Sequence, residues 1–359
     1  MNAVKQITEL GQSIWLDNLS RTLIHDKELE RLVGDDGISG VTSNPSIFHA
    51  AIATSPYYAD DLARLKDAET NPERRYEALV VADVQAACDL LRPIFDRTQG
   101  KDGYVSLEVS PRWAYDADAT VKEGQRLAAW VGRANLLVKV PGTPAGVTAF
   151  ETLTRLGINV NVTLLFSLTQ TECVWQAYLR GLKARMADGF EISHSKAVAS
   201  LFLSRVDTLV DARLTEIGSQ GALALRGKAA VAMAKSAYMR YAEIFNAADF
   251  CALRQAGAQP QYLLWASTGS KNPAYSDLIY VEPLIGAETI NTMPDKTISA
   301  IRDHGRAATN LGLGLVEAQT QLAELDTLGI DMDAVGETLQ ADGAKLFSAS
   351  FDQLLALVA

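Results

Sequence analysis

Polar side chains interrupt almost every short apolar run of this sequence. Asp17 ends a first run, Asn44 ends a second, Glu108 lies late in a third and Lys139 lies in a fourth. A lysine with apolar neighbours on both sides, as in LLVKVPGT, is desolvated, and desolvation favours the neutral amine, which is the nucleophilic form. Such an amine forms imines with carbonyl compounds, and a carboxylate on a neighbouring strand can move protons through a water molecule. The pattern therefore indicates imine chemistry at Lys139.

The same residues also have purely structural interpretations. A single lysine in a strand is more often an ion-pair partner, or a side chain whose ammonium extends to the strand end. Glu108 and Asp17, each taken alone, are as typical of a buried ion pair as of a catalyst. The presence of both carboxylates in runs near that of Lys139 favours the catalytic interpretation.

Further polar residues follow in the fifth, sixth and seventh runs. Asn161 and Thr163 are two residues apart, as are Ser200 and Phe202, so each pair points to one face of its strand. Ser267 ends the seventh run. We therefore expect these side chains to meet on one interior face.

The elements that must position these residues are short apolar runs that alternate with longer stretches of helical periodicity, a pattern typical of βα units. Eight runs predict eight strands, at 13–18, 39–44, 103–110, 136–141, 158–166, 198–204, 262–267 and 278–284. This count predicts an α/β fold of the (β/α)8 barrel (TIM barrel) type, whose active sites lie at the carboxyl ends of the strands. An open doubly wound sheet is the alternative, but no GxGxxG turn follows the first run.

Helices are predicted between and after these strands, at about 73–98, 118–132, 145–156, 168–187, 206–217, 226–247 and 294–304. We expect one barrel domain over residues 1–359, with extra N-terminal and C-terminal helices. Residues 311–359 have helical periodicity throughout and form a predicted C-terminal extension. That extension could pack over the barrel or against a neighbouring subunit.

Composition limits the partners and the chemistry. The 359 residues include 33 Lys and Arg against 43 Asp and Glu, a net charge of −10, which argues against a nucleic-acid or anionic-membrane surface. Three widely spaced cysteines indicate free thiols, and a first segment without an apolar core predicts a cytoplasmic protein. The four histidines lie outside the strand runs, so no metal centre is expected.

Six segments, in this order, make the chain resemble the transaldolases of the pentose phosphate pathway. They are WLDN around Asp17, GVTSNPSIF around Asn44, SLEVSP around Glu108, VKVPGT around Lys139, GINVNVTLLFS at 157–167 and LLWASTGSKNP at 263–273. The resemblance implies a Schiff-base enzyme on a barrel, without a cofactor. Its implied reaction is the reversible conversion of sedoheptulose 7-phosphate and glyceraldehyde 3-phosphate to erythrose 4-phosphate and fructose 6-phosphate.

The resemblance also implies roles for individual residues. Lys139 would be the Schiff-base lysine, Glu108 with Thr163 would hold the catalytic water, and Asp17 would be the second acid/base. The substrate-binding residues implied in the same way are Asn44, Asn161, Ser200 and Phe202. Two rivals stay open, namely an aldolase that releases dihydroxyacetone and a barrel that binds sugar phosphates without turnover. The sequence leaves open a monomer or a homodimer.

The phosphate end departs from the family pattern. Arg205 matches a phosphate-binding arginine of the family, and a guanidinium can bind two phosphate oxygens at once. A structural salt bridge is its alternative role. Many transaldolases have a second arginine two residues after the serine that matches Ser267, but this chain has Gly269 there. Lys271 could supply the missing charge, or Ser267 and backbone N–H groups could complete the site.

Overall fold

The computed structural model describes residues 2–359 of the chain. Within them, eight parallel strands form a closed barrel in which each strand pairs with the next and the last pairs with the first. The strands are β1 (Gln12–Asp17), β2 (Gly40–Thr42), β3 (Val105–Glu108), β4 (Leu136–Pro141), β5 (Val160–Leu165), β6 (Ala197–Phe202), β7 (Tyr262–Ala266) and β8 (Thr289–Met293). The predicted (β/α)8 barrel is therefore confirmed.

Helices surround the barrel and connect its strands. The first seven are α1 (Ala3–Glu9), α2 (Arg21–His25), α3 (Glu28–Asp36), α4 (Pro45–Thr54), α5 (Ala59–Ala68), α6 (Pro72–Arg97) and α7 (Ala117–Val131). The others are α8 (Pro144–Arg155), α9 (Leu168–Ala187), α10 (Ser204–Ile217), α11 (Gln220–Ala224), α12 (Ala229–Asn246), α13 (Ala248–Gln255), α14 (Asp295–His304), α15 (Leu315–Thr327) and α16 (Met332–Val358). All seven helices predicted before residue 305 are present, with ends within three residues of the expected ones. Across residues 2–359, no helix combines the length and hydropathy that crossing a bilayer requires.

The eighth predicted strand, at 278–284, is wrong. This segment is apolar and buried, but it forms a turn followed by a short 3₁₀ helix at Glu282–Leu284. The strand that closes the barrel is β8, which pairs with β1 from Gln12↔Thr289 to Leu16↔Met293. The prediction failed because an apolar run shows that a segment is buried and does not show that it is extended.

Several strands pass directly into helices through a residue that caps the helix. The side chains of Asn44, Thr143 and Ser167 accept hydrogen bonds from backbone N–H groups three residues later, at the starts of α4, α8 and α9. Such caps satisfy N–H groups that have no partner within the helix. The site at the carboxyl ends of the strands is therefore framed by fixed helix starts.

The C-terminal segment forms two separate helices instead of the continuous helical stretch predicted for 311–359. Residues 311–314 and 328–331 are not helical. The first of the two helices, α15, packs outside the barrel against α12, whereas α16 packs against α4 and β5. Gln340 of α16 donates to the carbonyl oxygens of Gly142 and Leu164 at the barrel rim, at 2.9 and 3.0 Å. This helix consequently lies across the carboxyl-terminal mouth of the barrel.

The amino-terminal end of the barrel is closed by side chains. Trp15 fills the interior, and a Cβ atom at Gly40 would lie 2.4 Å from its ring, so only glycine fits there. Below the indole, Asp102 accepts hydrogen bonds from Trp15 Nε1 at 2.8 Å and Ser13 Oγ at 2.5 Å. The lysine before β6, Lys196, is buried at this end. We refer to this end as the floor, defined by Trp15, Asp102 and Lys196.

Candidate active site

A cavity of about 240 Å³ opens at the carboxyl ends of the strands. It is lined by eight of the eleven residues that the sequence singles out, namely Asp17, Asn44, Lys139, Thr163, Ser200, Phe202, Arg205 and Ser267. Glu108 lines a small adjoining cavity, whereas Asn161 and Lys271 line neither. The barrel thus brings together side chains from elements that are up to 250 residues apart in the chain, as Ser267 is from Asp17.

Lys139 lies inside the barrel near the end of β4 and is only 6% exposed. Its Nζ donates a hydrogen bond to the carbonyl oxygen of Ser43 at 2.9 Å and lies 2.9 Å from Glu108 Oε1. This closeness follows from strand register, because β3 and β4 pair Glu108 with Lys139 directly. The amine therefore has a carboxylate partner within proton-transfer distance and also reaches the cavity.

The carboxyl group of Glu108 is buried beside this amine. Burial raises the pKa of Glu108 to about 7, the nearby Asp17 adds to the rise, and Lys139 opposes it. A carboxyl group with such a pKa is close to half-protonated at neutral pH, so it can both take up and release a proton there. Glu108 is consequently suited to general acid–base chemistry.

The small adjoining cavity has a volume of about 20 Å³ and is lined by Glu108, Lys139 and Thr163, with apolar side chains around them. A cavity of this size holds one water molecule when polar groups surround it. Thr163 Oγ1 is buried and has no hydrogen-bond partner among residues 2–359. Its hydroxyl and the Glu108 carboxyl can therefore hold a water molecule beside the amine.

Thr163 is followed by an irregular stretch of backbone. The pairing of β5 with β6 shifts register between Val162 and Leu165, and Leu164 has a φ of +60°. Ser267, at the end of β7, has a φ of +55°. Positive φ costs about 1–3 kcal/mol for residues other than glycine and is concentrated at functional sites. Ser267 lines the main cavity, and Leu164 lines the small adjoining one.

Asp17 faces Lys139 from the other side of the barrel. Burial raises the pKa of Asp17 above its usual value, while Lys139 and a hydrogen bond from Thr42 Oγ1 at 2.9 Å oppose the rise. The site therefore contains two carboxyl groups with raised pKa values around one amine. Such a set is able to exchange protons on two sides of a bound substrate.

Two asparagines differ in how they meet the cavity. Asn44 lines the cavity, and its Oδ1 accepts the N–H of Ile47, so the side-chain amide group is held toward the rim. Asn161 is fully buried under the cavity, where it accepts from Ser200 Oγ at 2.6 Å and donates to Ser106 Oγ at 3.0 Å. In this structure Asn161 holds Ser200, and direct substrate binding by Asn161 stays a prediction.

The cationic end of the cavity contains one arginine. Arg205 follows the start of α10, lies over the Phe202 ring at 5.9 Å, and has no carboxylate within 4 Å among residues 2–359. Burial lowers the pKa of Arg205, but a guanidinium stays charged at neutral pH. The predicted alternative, a structural salt bridge, is therefore not what the described residues form. Nearby, the hydroxyls of Ser204 and Ser267 are 2.8 Å apart.

The loop after β7 carries the predicted departure from the family pattern. Lys271 is exposed in this loop, and its charge lowers the pKa of Asp17. Gly269 has no positive φ, and a Cβ atom there would meet Pro294 and Thr297 at ordinary distances of 3.5 and 3.8 Å. The backbone therefore does not demand glycine at this position, and Lys271 as a phosphate ligand stays a prediction.

Several residues that sequence reasoning missed also line the cavity. They are Thr42, Ser46, Leu264, Ala266, Thr292, Leu346, Phe347 and Ser350. Thr292 was missed because the last strand was assigned to a different segment. Leu346, Phe347 and Ser350 come from α16, and nothing in their spacing distinguishes a helix across the mouth from a helix outside the barrel. Ser46 donates to Ser350 at 3.0 Å and joins α4 to α16 above the site.

Comparison with known proteins identifies one family along almost the entire chain. Residues 14–358 match the family model described as transaldolase/fructose-6-phosphate aldolase. A transaldolase of Thiobacillus denitrificans is 62% identical over 358 residues and covers 100% of both chains. A transaldolase of Neisseria meningitidis serogroup C is 49% identical with 99% of each chain covered, and transaldolase 2 of a Nostoc species is 42% identical with 99% of this chain and 96% of its own covered. The chain therefore belongs to the transaldolase/fructose-6-phosphate aldolase family of enzymes and groups with its transaldolases.

Proposed function

We propose that the chain transfers a dihydroxyacetone unit between sugar phosphates through a Schiff base on Lys139. The reaction converts sedoheptulose 7-phosphate and glyceraldehyde 3-phosphate to erythrose 4-phosphate and fructose 6-phosphate, reversibly. Support comes from the family and from the position of Lys139, which lies 2.9 Å from Glu108 on the wall of a cavity that Arg205 also lines. That juxtaposition of an amine, a carboxyl group and an unpaired guanidinium carries the proposal.

Imine formation uses the amine and the carboxyl group together. Lys139 Nζ, as a neutral amine, attacks the ketose carbonyl carbon, and the resulting carbinolamine loses its hydroxyl as water. Glu108 starts protonated and, acting through the water molecule held with Thr163, gives its proton to the carbonyl oxygen as nitrogen attacks. It then takes a proton from nitrogen and gives it to the hydroxyl that leaves as water, so the iminium carries the positive charge and Glu108 ends as a carboxylate. A carboxyl pKa of about 7 suits both the uptake and the release of the proton.

Carbon–carbon cleavage then uses the opposite carboxyl group. Asp17 takes the proton from the substrate hydroxyl next to the breaking bond, the bond electrons move into the iminium, and an aldehyde leaves. The three-carbon enamine stays on Lys139 and attacks the carbonyl carbon of the acceptor aldehyde. Asp17 returns its proton to the acceptor oxygen, so protons balance over the two half-reactions. Hydrolysis of the imine releases the new ketose.

Trapping the imine tests the proposal directly. The protein is incubated with fructose 6-phosphate, reduced with borohydride, digested and mapped by mass spectrometry. We expect an adduct of one reduced three-carbon or six-carbon unit on Lys139. An adduct on a different lysine would contradict the role of Lys139, and the absence of any adduct would leave only a sugar-phosphate binding protein.

A two-substrate assay distinguishes transfer from simple cleavage. Leu346 and Phe347 of α16 form part of the cavity wall, and apolar cover limits the access of water to the enamine. We therefore expect fructose 6-phosphate to be consumed only slowly when it is alone and quickly when erythrose 4-phosphate is added. Equal rates with release of dihydroxyacetone would make the chain an aldolase.

A further inference from the structure

Two threonine hydroxyls meet directly beneath Asp17. Thr42 ends β2 and Thr292 lies in β8, and β1 runs between these two strands. Strand register places Thr42 opposite Asp17, and it places Thr292 opposite Trp15, two residues earlier on β1. Thr42 Oγ1 lies 2.9 Å from Asp17 Oδ1 and 2.6 Å from Thr292 Oγ1. The three side chains form a continuous chain of hydrogen bonds.

The hydrogen-bond chain lies in the wall of the cavity, but its two threonine side chains are almost completely buried. Thr42 is 2% exposed and Thr292 is 3% exposed. The strand is fixed at this point because Thr268 Oγ1 donates to the carbonyl oxygen of Thr292 at 2.9 Å. A hydrogen bond lost in such a place is not readily replaced by water, so each hydroxyl in the chain affects the group that it serves.

A hydroxyl both donates and accepts a hydrogen bond. Because Thr42 donates its proton to Asp17 Oδ1, it accepts from Thr292. When Asp17 takes a proton from the substrate, that proton points to the substrate, and Oδ1 still accepts from Thr42. The hydrogen bonds therefore keep their direction in both states, but the bond to the charged carboxylate is the stronger one. A valine at position 292 would leave the Thr42 oxygen without its donor and would weaken the hydrogen bond from Thr42 to Asp17.

We propose that Thr292 is a positioning residue for Asp17, because its hydroxyl donates to Thr42 and so orients and strengthens the hydrogen bond that Thr42 donates to Asp17. The inference rests on the proposed function, in which Asp17 takes a proton from the substrate hydroxyl and returns it to the acceptor oxygen. It adds to that function a residue that does not contact Asp17 itself. It also explains why β8, a buried strand, has the polar residue Thr292 on its interior face.

Other charged groups also act on Asp17. Lys139 and Lys271 favour its carboxylate form, whereas Asp295 at the start of α14 and Glu108 on β3 disfavour it. None of these groups changes when a hydroxyl is removed from position 42 or 292. A change in the titration of Asp17 in such variants therefore reports on the hydrogen-bond chain.

The test is the titration of Asp17 in the substrate-free protein. The C=O stretch of the protonated acid is followed by infrared spectroscopy against pH, and its loss in Asp17→Asn identifies the band. Thr42→Val removes the donor to the carboxylate, so we expect the pKa of Asp17 to rise by about 0.5 to 1. Thr292→Val removes the donor to Thr42 and weakens the same hydrogen bond, so a smaller rise is expected. Thr292→Ser is expected to restore the wild-type titration.

Turnover gives a second readout. We expect Thr292→Val to lower kcat about three- to tenfold, the scale of one hydrogen bond, with KM nearly unchanged. Thr292→Ser is expected to recover most of the loss. The matched control is Thr154→Val, which removes a hydroxyl that is equally buried, at 2% exposed, on α8 outside the barrel. That control should alter neither the titration nor kcat.

Two outcomes would overturn the inference. One is an Asp17 titration in Thr292→Val that equals the wild type, and the other is a shift in opposite directions in the variants at positions 42 and 292. If Thr292→Val does not fold, as judged by circular dichroism, the comparison of Thr292→Ala with Thr292→Ser decides in its place. Failure of the proposed function is seen separately, because the titration needs no substrate and the borohydride adduct on Lys139 needs no variant.

Discussion

The barrel contains two buried lysines at opposite ends. Lys139 lies near the carboxyl end of β4 and is 6% exposed, and Lys196 directly precedes β6 at the floor and is 2% exposed. Burial lowers the pKa of Lys196 from 10.5 to about 8, so this amine is more easily made neutral than an ordinary lysine. By burial alone, the two residues would be equally good candidates for a Schiff base.

The contacts of the Lys139 and Lys196 amines differ. The amine of Lys139 borders a cavity and lies beside Glu108, whereas Lys196 Nζ lies 3.9 Å from the centre of the Tyr262 ring and donates to Gln259 at 3.3 Å. No carboxylate lies within 4 Å of Lys196 among the described residues. Burial alone therefore does not distinguish the two lysines, whereas access to a cavity and a neighbouring carboxyl group do.

The first prediction addresses the lysines themselves and has the largest expected effect. Lys139→Ala is expected to lower kcat on the order of 10⁴-fold or more, because it removes the nucleophile. Lys139→Arg should not restore activity, since a guanidinium stays protonated. The matched control is Lys196→Met, which should keep wild-type kcat in the coupled two-substrate assay. Substantial turnover by folded Lys139→Ala would contradict the role of Lys139 as the nucleophile and, with it, the proposed functional difference between Lys139 and Lys196.

The second prediction compares the carboxyl groups at the two ends. Glu108→Gln is expected to lower kcat about 10²- to 10⁴-fold with a smaller change in KM, because glutamine keeps the shape and cannot exchange protons. It should also remove the part of the pH–rate profile that titrates near pH 7, the pKa of Glu108.

The control for Glu108→Gln is Asp102→Asn. The buried Asp102 carboxyl group accepts hydrogen bonds from Ser13 and Trp15 at the floor and contacts no cavity residue. Asp102→Asn should lower the stability of the protein and leave the wild-type pH–rate profile unchanged. A wild-type profile in Glu108→Gln would return Glu108 to the role of an ion-pair partner of Lys139.

The third prediction concerns the cations at the mouth. Arg205→Ala is expected to raise KM for fructose 6-phosphate about 10- to 100-fold with kcat nearly unchanged, the scale of hydrogen bonds to a charged group. Arg213→Ala, on the same helix but away from the cavity, is the control. Lys271→Ala should change KM much less, because Lys271 is exposed and does not line the cavity. Gly269→Arg should lower KM, since the backbone tolerates a side chain there.

An unphosphorylated substrate tests whether the effect of Arg205→Ala on KM depends on the phosphate group. The effect of Arg205→Ala on KM should shrink when dihydroxyacetone or fructose replaces the phosphorylated ketose. A Lys271→Ala effect as large as that of Arg205→Ala at low ionic strength, where screening is weakest, would instead assign the second phosphate contact to Lys271.

The last prediction concerns the stability of the floor, and its variant is not expected to change turnover. Between pH 8 and 10.5 the unfolded chain holds a proton on Lys196 that the folded chain has lost, so this residue makes stability rise with pH in that window. Lys196→Met lacks this contribution. The free energy of unfolding of the wild type, relative to Lys196→Met, should therefore increase by up to about 3 kcal/mol across the window.

Urea unfolding of both proteins at neutral pH and at about pH 10 measures this difference. A stability difference that is the same at both pH values would mean that Lys196 keeps its proton in the folded state. The floor would then contain a stable buried ammonium, held by Tyr262 and Gln259.

Some features could be predicted because they depend on local order in the chain. Alternating apolar runs and helical stretches predicted the barrel and seven helices, since each element must bury its own apolar face. The last strand was missed because β8 reads TINTM, a short run with three polar residues among five, while a more apolar segment lies just before it. The C-terminal helix could be predicted as a helix but not placed, because periodicity shows an apolar face without showing what covers it.

By itself, the sequence determined that a lysine in an apolar strand would have carboxyl groups nearby, since parallel strands that follow one another bring their polar ends to one edge. Only the tertiary structure decided the contacts on which the chemistry depends. Register sets Glu108 beside Lys139, barrel closure joins Thr292 of β8 to Thr42 of β2, and α16 covers the mouth. These are contacts between residues distant in sequence, and their distances follow from closure of the barrel and packing of its helices.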